Sequence, residues 1–121
     1  MNERVKFITA EEHGIDLIVS YAIEDELLGV KTLLLHRTPS HEGIFDGSER
    51  GVRVAMSEDT FEEEDNNFLS SISIRGDFIK IKTSYREYDL DISKVDDVEV
   101  KDMRAVLEKQ NFDNRFEIRD A

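Results

Sequence analysis

The chain reads as an α+β domain: a strongly twisted antiparallel sheet of about six to seven strands, with one helix in the C-terminal half packed on one face. Three observations predict this. Residues 68–85 (FLSSISIRGDFIKIKTSY) place a two-residue turn, Gly76-Asp77, between two alternating runs, with glycine where positive φ is wanted. Closing that turn sets Arg75 opposite Phe78, Ile74 opposite Ile79, Ile72 opposite Ile81 and Phe68 opposite Tyr85. One face then collects Phe68, Ile72, Ile74, Ile79, Ile81 and Tyr85, and the other shows Ser71, Ser73, Arg75, Lys80 and Lys82. A one-residue slip would mix the two sets, so the pairing is well specified. Second, short apolar runs of strand length recur along the chain. Third, a 3.6-residue apolar stripe appears once, near the end.

Taken in order, Val5-Lys6-Phe7-Ile8 is short, apolar and β-prone, an N-terminal strand. Glu11-Glu12-His13-Gly14 is a polar turn. Ile15, Leu17, Val19 and Tyr21 then alternate with polar neighbours as a half-buried strand, which Glu24-Asp25-Glu26 ends. Lys31-Thr32-Leu33-Leu34-Leu35-His36-Arg37 is a continuous apolar run of strand length, as expected of a central strand covered on both faces. Residues 38–51 are the longest loop, with the only proline (Pro39) and three of six glycines, and Ile44-Phe45 in the middle. Val52, Val54 and Met56 alternate as a further strand. Thr60-Phe61-Glu62-Glu63 has capping-box spacing, so a short helix is expected to start there. After the hairpin, Tyr88, Leu90 and Ile92 alternate with Asp89 and Asp91 as a strand on its far side. Asp96, Asp97 and Glu99 suit the positive end of a helix dipole. Val100, Met103, Val106 and Leu107 form the stripe of that helix, and Asn111 is a stop signal. Residues 112–118 are expected as an edge strand.

The 121 residues fit one domain, 1–121, with no repeat or linker. There is no cysteine, which removes disulfides, thiolate nucleophiles and Cys-based zinc sites and fits a reducing, cytoplasmic location. No apolar run approaches the ~20 residues of a membrane helix, and Met1-Asn2-Glu3-Arg4 does not open a signal peptide. Sixteen basic and 28 acidic residues leave a net charge of −12. Such a surface repels nucleic acid and anionic membranes and attracts a basic protein.

Candidate chemistry is sparse. His36 and His41 flank Pro39, with Glu42 and Asp46 nearby, but their spacing matches no metal-ligand motif, and His13 stands apart. Gly-x-Ser-x-Gly, a glycine-rich phosphate loop and His-Glu-x-x-His are all missing, so neither an enzyme nor a cofactor is expected. Arg75-Gly76-Asp77 spells the integrin-ligand tripeptide, and its glycine and aspartate are accounted for by the hairpin turn. The densest charge is Glu58, Asp59, Glu62, Glu63, Glu64 and Asp65, with Phe61 among them. Read as a docking surface, Phe61 is an apolar anchor inside an acidic rim; read blandly, the run is a solvated face, and Ile44-Phe45 either tucks onto the core, the commoner outcome, or adds a partner contact.

From Thr32 to Leu107 the succession of features resembles one of the immunity-protein families of bacterial polymorphic toxin systems. The resembling stretches are Leu33-Leu34-Leu35-His36-Arg37, the acid- and glycine-bearing loop 41–51, the strand 52–56, the acidic segment and the hairpin 72–81. The resemblance implies a non-enzymatic inhibitor that binds a toxin domain and occludes its active site. A basic nuclease toxin domain is the partner that charge would favour. A small-ligand-binding β domain, an adaptor subunit and an enzyme with a recessed carboxylate or histidine remain as other readings.

Overall fold

The computed structural model describes residues 3–13, 16–26, 29–38, 51–56, 67–84 and 86–120. Its elements are β1 (Glu3–His13), β2 (Asp16–Asp25), β3 (Gly29–Arg37), β4 (Arg53–Met56), β5 (Leu69–Arg75), β6 (Phe78–Thr83), β7 (Glu87–Asp91), the helix α1 (Asp97–Gln110) and β8 (Glu117–Asp120). The strands form one eight-stranded sheet in the order β4-β3-β2-β1-β7-β6-β5-β8. Pairing is antiparallel except at β1 with β7 and β5 with β8, which run parallel. The α+β class and, among the described residues, one helix in the C-terminal half agree with the sequence reading; the strand count is slightly higher. Among the described residues no helix is long and apolar enough to cross a membrane.

The hairpin forms in the expected register from Ser71↔Lys82 to Arg75↔Phe78, around Gly76 at φ +58°. Ile72, Ile79 and Ile81 are buried, as the alternation requires. Beyond Ser71 the reading fails. A bulge between Leu69 and Ser71 shifts the parity, so Leu69 enters the core opposite Thr83. Phe68, expected opposite Tyr85 on the inner face, instead bridges to Arg53 of β4. Tyr85 lies outside the described residues.

Three strand boundaries also differ, as does the burial of β3. β1 runs on through Glu11, Glu12 and His13, which pair with Ile18, Leu17 and Asp16 rather than making a turn. β2 continues through Glu24 and Asp25, which pair with Val30 and Gly29. Ladder bonds hold these acids in strand conformation, with Glu11, Glu12 and Glu24 exposed and Asp25 half-buried near Lys31. β3 is central, between β2 and β4, yet only Leu33, Leu35 and Arg37 are buried while Leu34 is half-buried. One face is covered, not two. The edge strand β8 exists, but it begins at Glu117 and pairs parallel.

α1 lies against β1 and β2, placing Met103, Val106 and Leu107 on the core. Tyr21 donates its buried hydroxyl to Met103 Sδ at 3.1 Å, and burial holds the phenol far above its usual pKa. A bulge at Lys6-Phe7 lets Val5 and Ile8 both face inward, opposite Ile23 and Tyr21. Beside it, the Ile8 N–H donates to Glu99 Oε1 in the first turn of α1, at 2.7 Å. That bond ties helix to strand where the ladder is interrupted. Glu99→Ala is expected to cost about 1.5 kcal/mol in urea unfolding, whereas Glu99→Gln, which keeps an acceptor oxygen, should lose less than half of that. Equal losses would show that charge, not the hydrogen bond, matters.

The sheet curls until β4 meets the start of β5. Val54 N–H donates to Asn67 O and Leu69 N–H to Val52 O, both at 2.9 Å. Further along β5 the same edge is taken by β8, from Ser71↔Glu117 to Ile74↔Asp120. Gly51 sits where β4 gives way to β8. Its φ is +140°, and an added Cβ would lie 3.3 Å from the Phe68 ring and 3.9 Å from Arg115 Cδ. Only glycine fits that junction without strain.

Candidate functional site

All nine residues expected to contact a partner, Ile44, Phe45, Glu58, Asp59, Phe61, Glu62, Glu63, Glu64 and Asp65, lie outside the described residues, as does the capping box at Thr60. The structure describes what holds the two segments. Residues 39–50 join β3 to β4, and residues 57–66 join β4 to β5. Both therefore attach to β4, a four-residue strand paired with β3 on one side and bonded to residues 67–69 on the other. The flanks are buried: Val52 and Met56 lie in the core, and Asn67 donates its amide to Val54 O at 3.2 Å. The two segments carry nine acids and one base, −8 of the chain's −12. Most of the net charge thus belongs to two connections mounted on one firmly held strand.

The end of β3 is fastened by Arg37. Its fully buried guanidinium donates from Nη1 and Nη2 to the two oxygens of Asp113, each at 2.9 Å, and from Nη1 to Gln110 O at 2.7 Å. The Phe112 ring covers it, with its centroid at 4.3 Å. Arg115 also donates to Asp113, from Nε at 2.7 Å. The hydrogen bond from Arg37 is the main reason the Asp113 carboxyl is held down at about 2. Gln110 completes the clamp, its amide donating to Leu17 O and Leu35 O while its own Oε1 is buried and finds no hydrogen-bond partner among the described residues. This arrangement joins β3, the end of α1 and the turn before β8. Its partners are more than seventy residues apart in sequence, so spacing held no signal of it.

His36 contacts Asp16 Oδ1 through Nε2 at 2.9 Å, and the same Nε2 lies 3.3 Å from Thr38 Oγ1. Thr38 Oγ1 also donates to Asp16 Oδ1 at 2.7 Å. A nucleophile–base–acid relay needs hydroxyl and carboxylate on opposite ring nitrogens. Here both meet one nitrogen, and the hydroxyl proton goes to the carboxylate. The cluster ties the rims of β2 and β3 and is not a catalytic triad. Among the described residues no group of His, Asp and Glu is arranged to hold a metal ion; His41, Glu42 and Asp46 lie outside them.

Arg75-Gly76-Asp77 is the hairpin turn, and Asp77 O accepts from Ile92 N–H at 2.8 Å. The strands also line an open cleft of about 600 Å³, which brings Glu3, Glu24, Asp25, Glu26 and Asp91 near Arg4 and Lys6. Its charges are partly matched: Lys31 Nζ lies 2.7 Å from Glu3 and 4.0 Å from Asp25, and Arg4 3.9 Å from Glu24. Bonds from Ser93, then the nearby Arg4 and Lys94, hold the Asp91 carboxyl below its usual pKa. In the sequence Asp91 reads as the polar side of an alternating strand, and Glu24, Asp25 and Glu26 read as a strand end. Pairing of β1 with β2 and β7 is what collects them.

Compared with protein-family models, with curated proteins and with solved structures, the chain matches none of them.

Proposed function

We propose that this protein is a non-enzymatic inhibitor of the immunity type, acting in the cytoplasm, which neutralises a basic toxin domain by seating its acidic 57–66 segment over the toxin's active cleft. One observation carries the reading. Six acids and no base fall in a ten-residue connection flanked by Met56, at the end of β4, and by Asn67, whose carbonyl accepts from Val54 N–H. A charged surface held at both ends loses less freedom on binding than a loose acidic tail would. It also steers a basic partner over a Debye length of about 8 Å at physiological salt. Phe61 supplies an apolar contact inside the charged rim, the arrangement in which hot spots are found.

The space between α1 and the sheet is taken up by Tyr21, Leu33, Met103 and Leu107, each fully buried. That packing weighs against a small ligand held there. The test is capture of partners by the tagged chain from its native host, with washes at low and then high salt and identification by mass spectrometry. One stoichiometric basic protein, released by salt, is expected. A partner that is acidic or neutral and indifferent to salt would overturn the reading.

A further inference from the structure

β8 is the last strand of the sheet, and among the described residues nothing pairs with its outer edge. Glu117 and Arg119 project on one side of it, 65% and 61% exposed, and pair with each other. Ile118, between them, is half-buried against the core. We propose that this edge is a self-association site, where β8 of a second copy of the chain pairs antiparallel about a two-fold axis through Ile118. In that register Glu117 faces Arg119 of the second copy, and Arg119 faces its Glu117. Residues directly opposite in an antiparallel pair share a face, so both contacts are cross-strand ion pairs. Ile118 meets Ile118 on the core side and extends the apolar layer across the axis. A shift of one residue would set Glu117 against Asp120, two acids, and turn Ile118 away from its counterpart. The run Glu-Ile-Arg is thus complementary to itself in one register. An edge of four residues makes a dimer that forms on concentration and parts on dilution.

The measurement is sedimentation velocity over a wide concentration range. The parent chain should move from one chain mass toward two. Glu117→Arg and Arg119→Glu should each weaken dimerisation by about tenfold or more, since each turns two attractive cross-strand pairs into repulsive ones. Glu117→Arg/Arg119→Glu together restore the complementarity and should return to within about threefold of the parent. Thermal unfolding of the dilute variants checks that β8 still docks on β5. A parent that stays monomeric up to about millimolar concentration would overturn the proposal. So would single reversals that leave dimerisation unchanged, or a double variant no better than either single.

Discussion

Replacing Arg37 with alanine is expected to lower the unfolding free energy by about 3 kcal/mol, because a fully buried guanidinium is lost together with its bonds to Gln110 O and to both oxygens of Asp113, which keeps Arg115 alone. In a domain of this size that amounts to a fall of about 10 °C in Tm. The cost has two parts: Gln110 O and Asp113 lose the bonds from Arg37, with Arg115 still donating to Asp113, and Phe112 loses the cation beneath its ring. Arg37→Met, which fills much of the volume without the fork, separates them. It should recover less than half of the loss. Arg37→Lys should fall between, since an ammonium cannot engage both carboxylate oxygens in parallel. The damage should also be localised. Hydrogen exchange should quicken first in β8 and the last turn of α1, the elements that Arg37 fastens to β3. The pH dependence supplies a check with a defined sign. Asp113 is held at about 2 in the folded chain against an ordinary 3.8, chiefly by Arg37. A lowered carboxyl stabilises the fold above its ordinary value and ceases to do so as pH falls through the folded one. The gap between parent and Arg37→Met should therefore be full above about pH 4 and shrink toward pH 2. A constant gap across that range would show that packing, not the pair, is what Arg37 contributes.

The contrast between this clamp and the hairpin shows where sequence reading works. Residues 71–82 pair as their alternation demands, because turn chemistry and burial act on neighbours only a few positions apart. The stripe Met103, Val106 and Leu107 was legible for the same reason. What local pattern could not convey was the way the sheet curls. Phe68 left its expected partner because β4 arrives beside it, and β8 turned parallel because the chain crosses by way of α1 before returning to β5. Arg37 reads as the polar end of an apolar strand until the turn after α1 brings Asp113 to it. The groove acids are similar. Glu24 and Asp25 look like a strand break in one dimension and become the wall of a cleft once β1, β2 and β7 lie together. Local periodicity locates elements; closure of the sheet decides which side chains meet.

Charge reversal in the acidic connection should have the largest effect on function. Glu62→Lys, Glu63→Lys and Glu64→Lys together raise the net charge from −12 to −6 and leave segment 57–66 with no net charge. If that segment steers the toxin, association with the captured partner should slow by about 10- to 1,000-fold, with a smaller change in dissociation. The salt dependence should flatten in parallel, since the attraction that salt screens has gone. Unfolding curves matching the parent's would show that the loss lies in binding. Phe61→Ala makes the complementary test. It leaves charge untouched, so association should hold while dissociation quickens, by about 2 kcal/mol in affinity if Phe61 is a central anchor. A triple variant that binds as the parent does would remove the segment from the interface. The next acidic surface to reverse would then be Glu24, Asp25 and Glu26, where the cleft gathers acids from separate strands. A triple variant that fails while Phe61→Ala binds normally would keep the segment but reduce it to an electrostatic guide. The residues that close on the proposed partner would then have to be sought outside that segment.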